Sequence, residues 1–290
     1  MRRGKRLTAE TAMHPHPPRM RGFFGAGDGY RVVADSGPQI GRLLVNVQEK
    51  KRLTGRIAAE QIKLMAAPRP PAGVVERFIA LGDPTGVISD TMDELGIPCG
   101  VVGASVLKPT IPGKCIVGPA LTVRNILQRI DPLKGARDHV NRMAEFEAHN
   151  LALPGDVLVI EGVPNVSNMG GNSAQTGKRQ GEIGAIVQGG IRDVTHQRAV
   201  GYPIWASDIT PLTGKWRIET AEINGTVVIG GVQVHPGDLV VADDTGVCFI
   251  PRDFILEVLE AAEKKARSEA KRVQAIDSGQ SVPDVLRSGE

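Results

Sequence analysis

Aromatic residues are scarce. Phe, Trp and Tyr make up 3% of the 290 residues, which argues against a surface that stacks nucleic-acid bases. The three cysteines, Cys99, Cys115 and Cys248, are odd in number, far apart and never form C-x-x-C. That pattern points to neither a disulfide framework nor a zinc site, and it suits a reducing cytoplasm. No apolar run approaches the roughly 18 residues that a spanning helix needs, and the N-terminus lacks the continuous hydrophobic core of a signal peptide. A soluble protein is expected. Neither G-x-G-x-x-G nor a Walker loop occurs, so the common nucleotide fingerprints are missing as well.

Positive charge is short wherever a nucleic acid would need it. The chain carries a formal +3, with about eight excess positive charges in residues 1–56 and about five excess negative charges in the rest. The main body therefore offers no basic face, and no nucleic-acid partner is expected. Residues 1–65 mix Arg and Lys clusters with His14-Pro15-His16-Pro17-Pro18 and show weak periodicity, which reads as a basic, flexible extension. The organised domain is expected over residues 66–290.

What is abundant is glycine, 35 residues, in a chain that is 41% hydrophobic and 23% charged. This is the composition of an aliphatic, turn-rich α/β protein. Helical spacing covers Thr85–Leu95 and Asp138–Leu151, and Ile116–Val123 reads as a strand broken at Gly118-Pro119. Val157–Ile160 and Ala185–Val187 are short apolar runs of the kind buried on both faces of a sheet. Helices are expected at Ser173–Gln180 and Val194–Val200, making βαβ units with parallel strands. Val227–Ile229, Val232–Val234 and Leu239–Ala242 read as an antiparallel meander, and Phe254–Ile276 as a closing charged helix.

Two segments at strand ends can carry chemistry. Asn168-Met169-Gly170-Gly171-Asn172-Ser173 leads into a helix, where free N–H groups can hold a carboxylate or phosphate; a plain structural turn is the alternative. Arg192-Asp193 follows Gly189-Gly190. The Asp can bind a hard divalent cation and the Arg can clamp a carboxylate, while the competing reading is a helix-capping Asp beside a solvated Arg. Asp243-Asp244 reads as turn chemistry, Glu219 and Glu222 as a solvated strand face. His139, His149 and His235 have no metal-ligand spacing.

The chain resembles a known family in several separated stretches. They are Val87–Gly96, Val117–Arg124, Pro154–Ile160, Gly189–Asp193, Gly201–Ile204, Ile229–Val232 and Pro236–Val247. Together they are similar to the RraA-like proteins, which include the 4-hydroxy-4-methyl-2-oxoglutarate / 4-carboxy-4-hydroxy-2-oxoadipate aldolases. The resemblance implies a mixed β core flanked by helices, of the swivelling β/β/α type, assembled as homotrimers or homohexamers with sites between subunits. It implies Mg²⁺ or Mn²⁺ catalysis of carbon–carbon cleavage in a 2-oxo acid, by retro-aldol release of pyruvate or by decarboxylation of an oxaloacetate-like acid. Asp193 would anchor the metal, Arg192 would hold the pyruvate moiety and stabilise its enolate, and the backbone around Gly170, Gly171, Asn172 and Ser173 would grip the substrate carboxylate. Glu269 would reach a neighbouring subunit's site.

One position departs from that pattern. The aldolases of the family carry an acid 21 positions before the Arg of the Arg-Asp pair, and here that position is Gly171. Asn172, Glu161, His196 and Glu182 are the candidates to replace it. The departure leaves a non-catalytic protein-binding regulator, or another lyase or hydratase on a carboxylated substrate, as alternatives.

Overall fold

The computed structural model describes residues 52–98 and 100–287, which belong to one compact unit. Most of the basic extension and Cys99 lie outside the described residues. The last part of the expected extension does not. Residues 52–65 pack on the domain: Ile57 and Ile62 are buried, and Ile62 pairs with Ile223 as a β-bridge. The Lys63 amide donates to the Ile223 carbonyl at 2.9 Å. The organised domain therefore begins before residue 66.

The helices are α1 (Val74–Ile79), α2 (Pro84–Glu94), α3 (Pro132–Arg137), α4 (Glu145–Leu151), α5 (Gly171–Gln180), α6 (Val194–Val200), α7 (Ile255–Asp277) and α8 (Val282–Arg287). The strands are β1 (Val101–Gly103), β2 (Lys108–Pro109), β3 (Ile116–Leu127), β4 (Val157–Glu161), β5 (Ser167–Met169) and β6 (Gly184–Ile191). They continue as β7 (Ile204–Ile209), β8 (Ile218–Ile223), β9 (Val227–Ile229), β10 (Val232–Val234), β11 (Leu239–Ala242) and β12 (Gly246–Ile250). The main sheet runs β1-β12-β11-β3-β4-β6-β7-β2, with β5 added on β6 and β8 on β3; β9 and β10 form a separate hairpin. Its centre, β3-β4-β6-β7, is parallel and its flanks are antiparallel. This is the mixed β core flanked by helices that the sequence leads one to expect.

Burial on both faces explains the apolar runs. Leu158, Ile160, Ala185 and Val187 face one cluster with α4, α5 and α6, while Val157, Val159 and Ile186 face another with Trp205, Val240 and Phe249. A third cluster joins α1, α2 and α7 to β11 and β12. Alternate residues of β4 and β6 thus feed opposite cores, which only an apolar run can do.

Three sequence expectations need correction. The expected meander is not continuous: β9 and β10 pair only with each other, while β11 joins the main sheet between β12 and β3. β3 passes through Gly118-Pro119 without a break. Pairing with β4 begins at Ala120, so the missing Pro119 donor faces no parallel partner there. Gly118 is needed because a Cβ would stand 2.2 Å from the Gly155 carbonyl oxygen. The helix expected from Asp138 starts only at Glu145. His139 adopts φ 54°, the Asn141 side chain takes the Met143 amide at 3.1 Å, and Thr220 Oγ1 takes the Ala144 amide at 2.9 Å. Local side-chain acceptors hold this stretch out of the helix.

Candidate functional site

Parallel strands collect functional groups at their carboxyl ends. β6 ends at Ile191, so Arg192 and Asp193 leave it directly, and β5, paired on β6, ends at Met169 beside them. α5 then starts with Gly170 as its N-cap. Having no side chain, Gly170 leaves the first turn uncapped, with amides pointing out of the helix. These elements face a cavity of about 740 Å³ lined by Gly170, Gly171, Asn172, Ser173, Arg192 and Asp193 among others. The structure brings all six of these expected residues together.

Asp193 is the strained point. Its backbone is left-handed, φ 60° and ψ 38°, which is uncommon for a residue with a Cβ and occurs preferentially at functional sites. Although it occupies the N-cap position of α6, its side chain does not cap that helix. Instead Oδ2 accepts the Gly171 amide across the site at 3.0 Å, with Arg192 Nε 3.7 Å away. The side chain stays 51% exposed. Between the two sequence readings, the geometry favours the site over the cap. Because the Gly171 amide is taken up by Asp193, the Asn172 and Ser173 amides are the ones left to meet an anion.

A side chain in place of Gly171 would be tight against its neighbours. A Cβ there would stand 3.0 Å from His196 Cδ2, 3.1 Å from Cγ and 3.2 Å from Asp193 Cβ. The exposed His196 ring on α6 packs over the position where the family's side chain would begin. Of the four expected substitutes, His196 and Asn172 line the cavity. Glu161 does not: it accepts the Val228 amide at 2.8 Å and belongs to a separate cavity with Arg124 and Glu222. Glu182 is sealed behind the cavity wall. Glu269 is exposed on α7 and lines none of these cavities.

Residues that sequence reasoning missed complete the site. Glu145, Arg56, Thr54 and Lys215 line the same cavity. Thr54 and Arg56 come from the segment assigned to the flexible extension; the fully buried Glu147 carboxylate anchors it by accepting the Thr54 amide at 2.7 Å and bonding the Thr54 hydroxyl. Behind the wall runs a buried chain. Ser173 Oγ lies 2.7 Å from His149 Nε2, His149 Nδ1 lies 2.7 Å from Glu182 Oε1, and the Tyr202 hydroxyl donates to Glu182 Oε2 at 2.6 Å. Burial pushes the His149 imidazole down, but the facing Glu182 carboxylate and, further off, Glu145 outweigh it and raise the net value. Burial, with Glu182 beside it, holds the Tyr202 phenol well above its ordinary range. The i, i+4 spacing of Glu145 and His149 on one short helix was the available signal.

Asp193 is the exposed carboxylate in the cavity wall that could hold a cation. Among the described residues no cluster of three His, Cys, Asp or Glu could hold a metal by itself. Asp193 presents a single, half-exposed carboxylate. That fits Mg²⁺ or Mn²⁺, which keep several waters and accept one or two protein carboxylates plus substrate oxygens. It does not fit a structural zinc site.

The Asp243-Asp244 turn is structural: Asp243 accepts the Thr85 amide at 3.1 Å and Thr245 amide at 2.8 Å, and Asp244 accepts the Gly113 amide at 2.9 Å. Glu219 and Glu222 pair with Arg142 and Arg124 on the surface. No helix among the described residues is long and apolar enough to cross a membrane.

Comparison with known proteins adds four relations. The family model described as RraA-like, Aldolase/RraA, matches residues 85–249. A Halalkalibacterium halodurans protein named "Putative 4-hydroxy-4-methyl-2-oxoglutarate aldolase" is 32% identical over 195 residues, 67% of this chain and 84% of that protein. Protein DlpA of Legionella pneumophila is 32% identical over 196 residues, 66% of this chain, and this chain spans 30% of its length. Among solved structures, Streptomyces coelicolor RraAS2, described as an unusual member of the RNase ES inhibitor RraA family, superposes with a TM-score of 0.60. It is 28% identical and covers 70% of this chain and 96% of its own.

Proposed function

Because the chain belongs to the RraA-like family, we propose that it is a divalent-metal-dependent carbon–carbon lyase acting on a 2-oxo acid, by retro-aldol release of pyruvate or decarboxylation of an oxaloacetate-like acid. One observation carries this reading. Arg192 and the strained Asp193 leave the end of a central parallel strand and face the first turn of α5 across a shared cavity, with Asp193 taking the Gly171 amide. A purely structural turn has no need of a left-handed aspartate whose carboxylate avoids capping its own helix.

The residues divide the work by charge. The Arg192 guanidinium can match a carboxylate in two parallel bonds and would stabilise the negative charge that develops on the adjacent C2 oxygen. The Asn172 and Ser173 amides, at the positive end of α5, favour the same anion. Asp193 would hold Mg²⁺ or Mn²⁺. Bound there, the cation would supply further positive charge to stabilise the transition state as the carbon–carbon bond breaks. Arg56 and Lys215 at the cavity lining add attraction for a second carboxylate. The relative from H. halodurans supports this substrate class by its name.

The test is pyruvate release from 4-hydroxy-4-methyl-2-oxoglutarate and from oxaloacetate, with Mg²⁺ or Mn²⁺ supplied. The wild-type chain should be active and Asp193→Ala inactive; an undiminished rate in Asp193→Ala would remove the metal site. Arg192→Lys should also fail, since a point ammonium cannot replace bidentate geometry. The second reading, a protein-binding regulator on the same fold, is favoured by Gly171 and by the likeness to RraAS2, described as a member of an RNase inhibitor family. Its signature would be a wild-type chain that neither releases pyruvate nor binds pyruvate or oxalate.

A further inference from the structure

One carboxyl group in the cavity has no part in the reading above. Glu145 opens α4, is 8% exposed and lines the cavity with Arg192 and Asp193. Its Oε2 is buried and has no hydrogen-bond partner. Other buried carboxylates nearby are engaged. Glu147 takes the Thr54 amide and Asn150 Nδ2, at 2.7 and 2.9 Å. Glu182 is held by His149 and Tyr202 at 2.7 and 2.6 Å. A buried polar oxygen without a partner costs roughly 1–3 kcal/mol, so one on a residue that lines a cavity calls for an explanation beyond packing.

We propose that Glu145 is the proton-transfer residue of this cavity, standing in for the carboxylate that Gly171 cannot supply; the proposal rests on the lyase reading. In the retro-aldol direction the Glu145 carboxylate takes the proton of the C4 hydroxyl. The C3–C4 bond breaks, its electron pair moves onto the pyruvate fragment as an enolate, and C4 becomes a carbonyl. The same proton returns from Glu145 to C3, giving the methyl group of pyruvate and restoring the carboxylate. No other reactant is consumed.

The surroundings suit that cycle. Glu145 is faced by Arg56 from the N-terminal segment, Lys215 from the loop before β8 and His149 one turn along α4; Arg192, Asp193 and His196 share the cavity. Burial pushes the Glu145 carboxyl up, while its own amide, His149, Arg56 and Lys215 pull against that rise. A carboxyl raised toward the working pH both accepts and returns a proton efficiently. His149 cannot take the role by contact, because it is fully buried and Ser173 stands between it and the cavity. It is a positioning residue that holds Ser173, and the Glu182 carboxylate favours its charged form.

The experiment compares wild type, Glu145→Gln and Glu145→Asp with two readouts. In turnover, Glu145→Gln should lower kcat about 100-fold or more, the range of a lost general acid–base group, with KM changed less than threefold. The ionisation seen in the wild-type kcat pH profile should vanish, and Glu145→Asp should recover part of the rate. In the full chain labelled with ¹³C at glutamate side-chain carboxyls, with Mg²⁺ supplied, one resonance should titrate above the ordinary glutamate range, move on adding pyruvate, and be missing from Glu145→Gln. A Glu145→Gln rate within threefold of wild type overturns the proposal. So does a Glu145 carboxyl that titrates in the ordinary range or ignores pyruvate. Should the wild type release no pyruvate, the lyase reading fails separately and the labelled carboxyl alone decides whether Glu145 is the cavity's proton-carrying group.

Discussion

At Asp193 the backbone sits at φ 60° while the side chain bridges to the Gly171 amide. Asparagine tolerates the left-handed region and keeps an acceptor oxygen, but it lacks the charge a cation requires. Asp193→Asn is therefore expected to melt within a few degrees of wild type and to lose pyruvate release; a large drop in Tm would mean the charge is structural. Gly171 gives a second residue-scale prediction. Adding a methyl against His196 and Asp193 should cost about 1 kcal/mol, the low end for overpacking because the exposed ring can shift. Most of that loss should return in the double variant with His196→Ala, measured by denaturant unfolding.

Glu145 sets a pH dependence whose sign follows from its raised carboxyl. The group binds its proton more tightly in the folded than in the unfolded chain, so its contribution is fully present below the unfolded value near 4.3 and is lost as pH rises through the folded one. Gln cannot ionise. The Tm of Glu145→Gln minus that of wild type should therefore grow as pH rises through this window, and a gap that stays flat or shrinks would contradict a buried, raised carboxyl.

Among the elements, the segment before residue 58 links fold to site. Thr54 reaches the buried Glu147 through both its amide and its hydroxyl, and two residues later Arg56 lines the cavity. Thr54→Val keeps the amide bond and removes the hydroxyl bond to a charged group, which should cost about 1–2 kcal/mol. It should also raise KM more than it lowers kcat, as Arg56 loses its fixed position. This segment was illegible in the sequence because nothing local to it is periodic; its order comes from Glu147, 93 residues away. By contrast β4, β6 and α6 were legible because short apolar runs and helical spacing are local properties. The end of the expected helix at 138–144 was lost to side-chain acceptors, Asn141 locally and Thr220 from β8.

For the whole molecule, the parallel centre of the sheet decides where chemistry can occur, and both strand-end loops singled out in the sequence meet there. The resemblance added roles for Arg192 and Asp193 and exposed the gap at Gly171. It could not supply the replacement, because Glu145 precedes Gly171 by 26 positions and reaches the cavity only through the packing of α4. The buried Ser173–His149–Glu182–Tyr202 chain was hidden for the same reason: its members lie on four different elements or loops.

The central claim is that this cavity holds a planar 2-oxo acid between Arg192, Asp193 and the first turn of α5. Oxalate, titrated calorimetrically into the full chain with Mn²⁺ present, measures that directly. The account predicts saturable binding to the wild type that disappears in Asp193→Asn and in Arg192→Lys; a wild-type titration without binding, or equal binding in all three, would contradict it.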